Sequence, residues 1–500
     1  MGSGGVNVGL AWLSSLCTVR HNVISGRRHS KGWYSFCGAV AAGYDTLGGS
    51  ILESYRTLWE CDPTTSTCSI WDTWGVDGVA MHAAGCGHII ENNVISDHVY
   101  GSSNSKTCGN DDGDGIDIKS SGNRTYWRGP SGQRELVDDL PIVIRNNDIT
   151  GNMGSGLVMH FGNRGIHIYN NIFSYNNADN GSAILLKADA QGGAQWMSEH
   201  LTLRNELNRR GITINQFTIK GPGLTKDIFI YRNMIYKNGY LIDEQGDEVA
   251  GGGKNAVEIR EEGGSVWHGS FENIWLTNNT IANNYWYGLN VEFKNVTPDP
   301  KTGYPLDSEY YSFNNLHIIN NIFASNTGAL DSAVPGIQLK LLDSISKDLR
   351  NAHRGLLCEL QIHNNCYYNP DGFYDIVDLQ QSFLDLVSLQ SYGDVFVWSE
   401  TTAKGVLWYT CILFGGTFGI GSVNGDPDFF TVDYNDFHLR PGSNCTNVGS
   451  ISVTIHYETG VSSGLGPDFD YQYRSDLLSS SLIPADIGAD EITIPTVVKP

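Results

Sequence analysis

Five hundred residues with a net charge of −22 should repel nucleic acid and anionic membranes as a whole, so any anionic ligand needs a local basic patch. The apolar fraction of 40% is enough for a large core, yet no apolar run approaches the length of a membrane span, which argues against membrane insertion. With 59 glycines and only 17% charged residues, the composition suits turn-rich β structure better than long solvated helices.

The start, MGSGGVNVGL, has neither the charged flank nor the long apolar centre of a signal peptide, so a secreted or cell-surface location is inferred from later features. Cys61 and Cys68 bracket a small polar loop, CDPTTSTC, among ten cysteines, which points to an oxidising compartment. From Thr18 onward the chain repeats itself. TVRHNVIS, IIENNVIS, VIRNNDIT, HIYNNIFS, FIYRNMIY, WLTNNTIA, HIINNIFA and QIHNNCYY share one fixed residue: Asn22, Asn93, Asn147, Asn171, Asn233, Asn279, Asn321 and Asn365. His21 and Arg232 replace the preceding Asn, so only the second of the pair is demanded.

A second column runs through VDGVAMH (76–82), GDGIDIK (113–119), GSGLVMH (154–160), GSAILLK (181–187), KNAVEIR (254–260), WYGLNVE (286–292) and VPGIQLK (334–340). Each reads as a turn followed by a short strand with one buried face. Two short strands and an Asn turn per repeat, stacked in parallel, predict an all-β chain: a right-handed parallel β-helix with an Asn ladder and long loops on one side. The coils and their inserted loops occupy 1–370; terminal coils and a C-terminal cap, continuous with the solenoid, occupy 371–500. LDLVSLQSYGD (384–394) has the pattern of a short helix. GDPDFF, DFHLRPGSNCTNVG and DIGADE resemble the C-terminal end of many secreted bacterial β-helix proteins, which implies coils that close the open end of the stack.

Stacked coils turn equivalent strand positions into lines on the outer surface. The outward pairs are Ala80/His82, Asp117/Lys119, Val158/His160, Leu185/Lys187, Glu258/Arg260, Asn290/Glu292 and Gln338/Lys340, whose second members form a nearly continuous basic line. Such a line suits an extended polymer with regularly spaced charges, an acidic polysaccharide. The apolar Val158 and Leu185 in the companion line point to cover by a loop or a ligand. The stretch NDDGDGIDIK brings Asp112, Asp114 and Asp117 together, with Asp77 one coil away. Carboxylates this close repel one another, and either a calcium ion or the nearby Lys119 resolves that repulsion.

Here the sequence resembles the calcium-dependent pectate lyases of polysaccharide lyase family 9, with VDGVAMH matching the first calcium-holding turn at Asp77 and GDGIDIK the second at Asp114 and Asp117. Gly113 stands where that family has an aspartate, leaving Asp112 to substitute. Val158 and Leu185 stand where the family places its lysine base, while Lys119, His160 and Lys187 lie two positions along. The resemblance implies Ca²⁺-assisted β-elimination on a uronate polymer, with Lys119 or Lys187 as base and His160 and His82 as acid or carboxylate contacts. Arg260 would bind a uronate further along by its planar fork, and Trp127 and Trp74, in the loops flanking the acidic turn, would wall a cleft. GDGID also resembles the first carboxylate motif of inverting polygalacturonase-type glycoside hydrolases, whose second motif has no match in GSGLVMH. A non-catalytic carbohydrate-binding, surface or filament protein on the same scaffold is the remaining alternative.

Overall fold

The computed structural model describes residues 8–11, 16–25, 78–98, 113–122, 126–128, 134–136, 140–176, 181–188, 224–242, 246–251, 255–261, 270–293, 313–326, 339–343, 357–368, 376–378, 381–383, 417–418, 422–431, 436–446 and 449, apart from 83, 85, 120 and 161. Their framework is three long sheets of ten, nine and nine strands. One coil shows the logic: Val79–His82 lies in the first sheet, Ile89–Glu91 in the second and Val94–Ser96 in the third. The next strand, Ile116–Lys119, returns to the first sheet and pairs in parallel with Val79–His82. The architecture is a parallel β-helix. Each coil has three strands rather than the two expected, because the Asn turn separates two strands that belong to different sheets. The segments 384–394, 61–68 and 451–500 lie outside the described residues.

Alternation explains the core. In the first sheet Ile116, Ile118, Leu157, Met159, Ile184, Leu186, Val257 and Ile259 point inward and are fully buried, as strand residues two apart must share a face. The Asn turn that follows the second sheet is satisfied coil by coil. Asn171 offers its backbone N–H and its Nδ2 to Oδ1 of Asn233 (3.0 and 3.1 Å), and Asn233 does the same with Asn279 (3.1 and 3.0 Å). The residue before each ladder Asn has φ between 52° and 58°. Asn tolerates that left-handed conformation best among residues with a side chain, which accounts for the recurrent Asn-Asn pair. Arg232 occupies it too, with its guanidinium 5.4 and 5.2 Å from the ring centres of Tyr169 and Tyr231.

A second ladder, unexpected from the sequence, runs His98, Asn152, Asn176, Asn238, Asn284 and Asn326, each five residues after a member of the first. His98, Asn152 and Asn176 pack against Gly78, Gly115 and Gly156 at the corner where the chain enters the first sheet, a file of small residues that continues as Ala183 and Ala256. A Cβ on Gly115 would lie 2.6 Å from the carbonyl oxygen of Gly156 and 2.9 Å from Nδ2 of Asn152. Gly115→Ala is therefore expected to lower stability by about 1–3 kcal/mol, readable as a lower denaturant midpoint.

The C-terminal landmarks take a different place from the one expected. Phe429–Thr431 and Asp436–Leu439 form an antiparallel hairpin. Its Phe429, Phe437 and Leu439 cluster with Met234, Ala282, Ile322, Ala324 and Cys366 on the outer face of the third sheet, and the Cys366–Cys445 disulfide fastens it there. This hairpin thus lies along the flank of the stack, while Ile376–Asp378, Thr417–Phe418 and Val423–Asn424 extend the three sheets by one further coil. Among the described residues no helix is long and apolar enough to cross a membrane.

Candidate active site

The outward face of the first sheet carries the candidate site, and strand register decides what meets there. His82 pairs with Lys119, and Lys119 with His160. Met159 pairs with Leu186, which brings His160 level with Lys187, and Lys187 pairs with Arg260. Five successive coils therefore present a basic residue at one strand position, spaced by about 4.8 Å. Beyond Arg260 the line changes: Glu292 follows, then Leu342. The expectation that Lys340 continues the basic file fails, because the strand Leu339–Asp343 is set two residues along and Lys340 pairs with Asn290 instead. The last turn, VPGIQLK, gave the right type of strand and the wrong register.

The companion line runs Ala80, Asp117, Val158, Leu185, Glu258, Asn290 and Lys340. None of its first six members joins the inward core, yet all six are buried, as the apolar pair Val158 and Leu185 led one to expect of a covered groove. Among the described residues two ion pairs stand on this face, each between residues two apart in one strand. Lys119 Nζ lies 2.6 Å from Asp117 Oδ2, and Arg260 Nη1 lies 3.3 Å from Glu258 Oε1. Glu258 also accepts a hydrogen bond from Ser182 Oγ at 2.8 Å. Between the two pairs lie the coils of Val158/His160 and Leu185/Lys187, so the in-strand neighbour of Lys187 on this face is apolar.

The acidic turn is partly described. Asp114 is buried and accepts the backbone N–H of Ser155 on Oδ1 at 2.5 Å. Its position along the stack continues as Ser155, Ser182, Asn255 and Tyr287, with no second carboxylate among them. Asp77 and Asp112 lie outside the described residues, as does Trp74. Trp127 sits on an antiparallel hairpin, Tyr126–Arg128 with Arg134–Leu136, inside the segment expected to be an open loop. Its side chain, like that of His82, lies outside the described residues.

Calcium asks for six to eight oxygens. Asp114 has one oxygen on a backbone amide and Asp117 one on the Lys119 ammonium, while Asp77 and Asp112, the other two expected ligands, lie outside the described residues. Among the described residues no three His, Cys, Asp or Glu side chains gather as a metal set. The Asp117 contact engages the amine of Lys119, one of the two residues expected as base. Asp117 and Glu258, three coils apart on one line, are separated by about 14 Å at the parallel-strand spacing, too far for the acid and base of an inverting hydrolase. Sequence reasoning passed over Glu258 and Asn290; their burial on an outward face is the signal, and only coordinates supply it.

No family model matches the chain, and no curated protein does. Among solved structures, the crystal structure of a hyperthermoactive exopolygalacturonase from Thermotoga maritima aligns with a TM-score of 0.30 and 11% identity, over 62% of this chain and 56% of that one. The match thus spans little more than half the length of that enzyme.

Proposed function

We propose that the outer face of the first sheet is the binding and catalytic groove of a secreted enzyme that cleaves a uronate-containing polysaccharide by β-elimination. The observation that carries this is the file His82, Lys119, His160, Lys187 and Arg260 on one face of a chain with net charge −22. A polyanion bound along that file replaces the self-repulsion of stacked cations with attraction.

In this reading Lys187 is the base. It stands in the file between His160 and Arg260 with the apolar Leu185 as its in-strand neighbour on this face, and arginine does not deprotonate. The neutral amine of Lys187 takes the proton on C5, alpha to the uronate carboxylate. The C5–H electrons form the C4=C5 double bond, the C4–O bond breaks, and the leaving oxygen takes a proton from His160, one coil away. Arg260, on the other side of Lys187, holds the uronate carboxylate and stabilises the charge that builds there.

On polygalacturonate, alginate and glycosaminoglycans the expected product is an unsaturated uronide, seen as a rise in ultraviolet absorbance matched by new reducing ends. Lys187→Ala and Lys187→Arg should both lower kcat by about 10²–10⁴-fold, since arginine keeps the charge but cannot accept the proton. Reducing ends without the chromophore would replace elimination by hydrolysis; no new ends from any acidic polymer would overturn the enzymatic reading. The same assay with a chelator reports on calcium. Lost cleavage would assign the ion to the turn of Asp77, Asp112 and Asp114, and unchanged cleavage would leave the charge balance to Lys119.

A further inference from the structure

We infer that the groove from Glu258 to Asn290, past the uronate held by Arg260 at the end of the basic file, forms a subsite for an uncharged, hydroxyl-bearing sugar unit, so that the substrate is a mixed polymer of uronate and neutral units and not a uniform polyuronate. This rests on the groove proposed above and narrows what the groove takes.

The face changes character within one coil step. From His82 to Lys187 the strand positions of this face carry basic residues, with Asp117 as the one carboxylate among those described. In the next two coils Glu258 stands beside Arg260, and Asn290 beside Glu292. A second uronate there would meet two carboxylates, whereas a neutral unit would meet acceptors for its hydroxyls.

Asn290 is the observation that points to a ligand. It is 4% exposed, and its Oδ1 has no hydrogen-bond partner among the described residues. A buried carbonyl oxygen left this way is costly, and the fold does not demand an amide at the position. Val158 and Leu185 fill the same line three and two coils earlier, 2% and 4% exposed. An amide kept where a leucine fits is accounted for by a donor that arrives with the ligand. Glu258, fixed by Ser182 and Arg260, is the second acceptor one coil away. At the turn of the Asn290 coil, Trp286 and Tyr287 meet edge to face at 5.4 Å, and Tyr287 pairs in register with Asn255, giving this end of the groove an aromatic wall.

The test compares binding of oligomers of galacturonate with oligomers that alternate uronate with a neutral unit, N-acetylhexosamine in one set and rhamnose in another. Calorimetry should show at least one mixed oligomer binding about tenfold tighter than the uniform one. Asn290→Leu should abolish that preference, leave galacturonate binding unchanged and raise the thermal midpoint, because the leucine removes an unsatisfied buried group. Glu258→Gln should weaken binding of the mixed oligomer severalfold. A lower midpoint in Asn290→Leu, or equal losses on all oligomers, would make Asn290 structural and overturn the subsite. Tighter binding of the uniform oligomer by the wild type would overturn it as well. Failure of every oligomer to bind the wild type would instead sink the groove itself.

Discussion

Asn233→Ala is expected to destabilise the stack by about 3–5 kcal/mol, the largest effect of a single side chain that touches no ligand. Asn233 is fully buried and serves both neighbouring coils. Its Oδ1 accepts the backbone N–H of Asn171, and its Nδ2 donates to the carbonyls of Ile168 (2.9 Å) and Tyr231 (3.1 Å) and to Oδ1 of Asn279. Alanine leaves one backbone donor and two carbonyl acceptors short of a partner where water cannot follow, and each such loss costs about 1–3 kcal/mol. Asn233→Asp should be as harmful at neutral pH, since a carboxylate facing two carbonyls has no hydrogen to give them, and should recover partly on acidification. Asn22, at the exposed end of the same ladder, is the internal control: Asn22→Ala should cost about 0.5–1 kcal/mol. Denaturant midpoints of the three variants would decide it. Equal losses at Asn22 and Asn233 would mean that the ladder acts through turn propensity and not through buried hydrogen bonds.

The second large effect is acid destabilisation between pH 6.5 and 4. His98 takes the first described place in the second ladder, where the other coils carry Asn, and offers Nδ1 to Oδ1 of Asn152 at 2.7 Å. Burial lowers its pKa from 6.5 to about 4, against the opposing pull of the Asn152 hydrogen bond. His317, stacked on Trp275 at 3.5 Å between ring centres, is lowered to about 4 by burial in the same way, with Gln361 opposing and His363 assisting. A histidine held neutral in the folded chain but protonated in the unfolded one adds nothing to the pH dependence above 6.5. Below that, the unfolded state binds the proton that the folded state refuses, so stability falls until the folded pKa is reached. The loss is roughly 3 kcal/mol for each such histidine. His98→Asn restores the ladder residue of the other coils and should flatten about half of the decline. An unchanged slope of midpoint against pH in that variant would show that His98 does not carry the effect.

The repeat of one Asn, eight times with apolar residues around it, was sufficient for the fold, because a polar residue kept at one turn of a stacked coil has few other physical explanations. The same alternation told inward from outward residues in GDGIDIK and GSGLVMH, and so placed Lys119 and His160 on one face before any coordinates. The third strand of each coil was hidden because Asn turns of the type Asn146–Asn147 bend the chain without interrupting its apolar pattern. The second ladder lay in plain view at a fixed offset of five residues, but short Asn-to-Asn spacings in an Asn-rich chain do not announce a contact.

What only the tertiary structure decided is pairing. Sequence offered calcium or Lys119 as the answer to the crowded carboxylates, and a 2.6 Å contact between Lys119 and Asp117 gives the lysine that part for Asp117. It put Lys340 at the end of the basic file, and a shift of two residues, which preserves the inward face and is therefore invisible to alternation, moved it beside Asn290. It read Glu258 and Asn290 as ordinary outward residues, because a one-dimensional pattern gives the direction of a side chain and not what covers it. Direction follows from local periodicity; register, burial of an outward face and the partner of a charge depend on coils dozens of residues apart, and those are settled only when the chain has closed on itself.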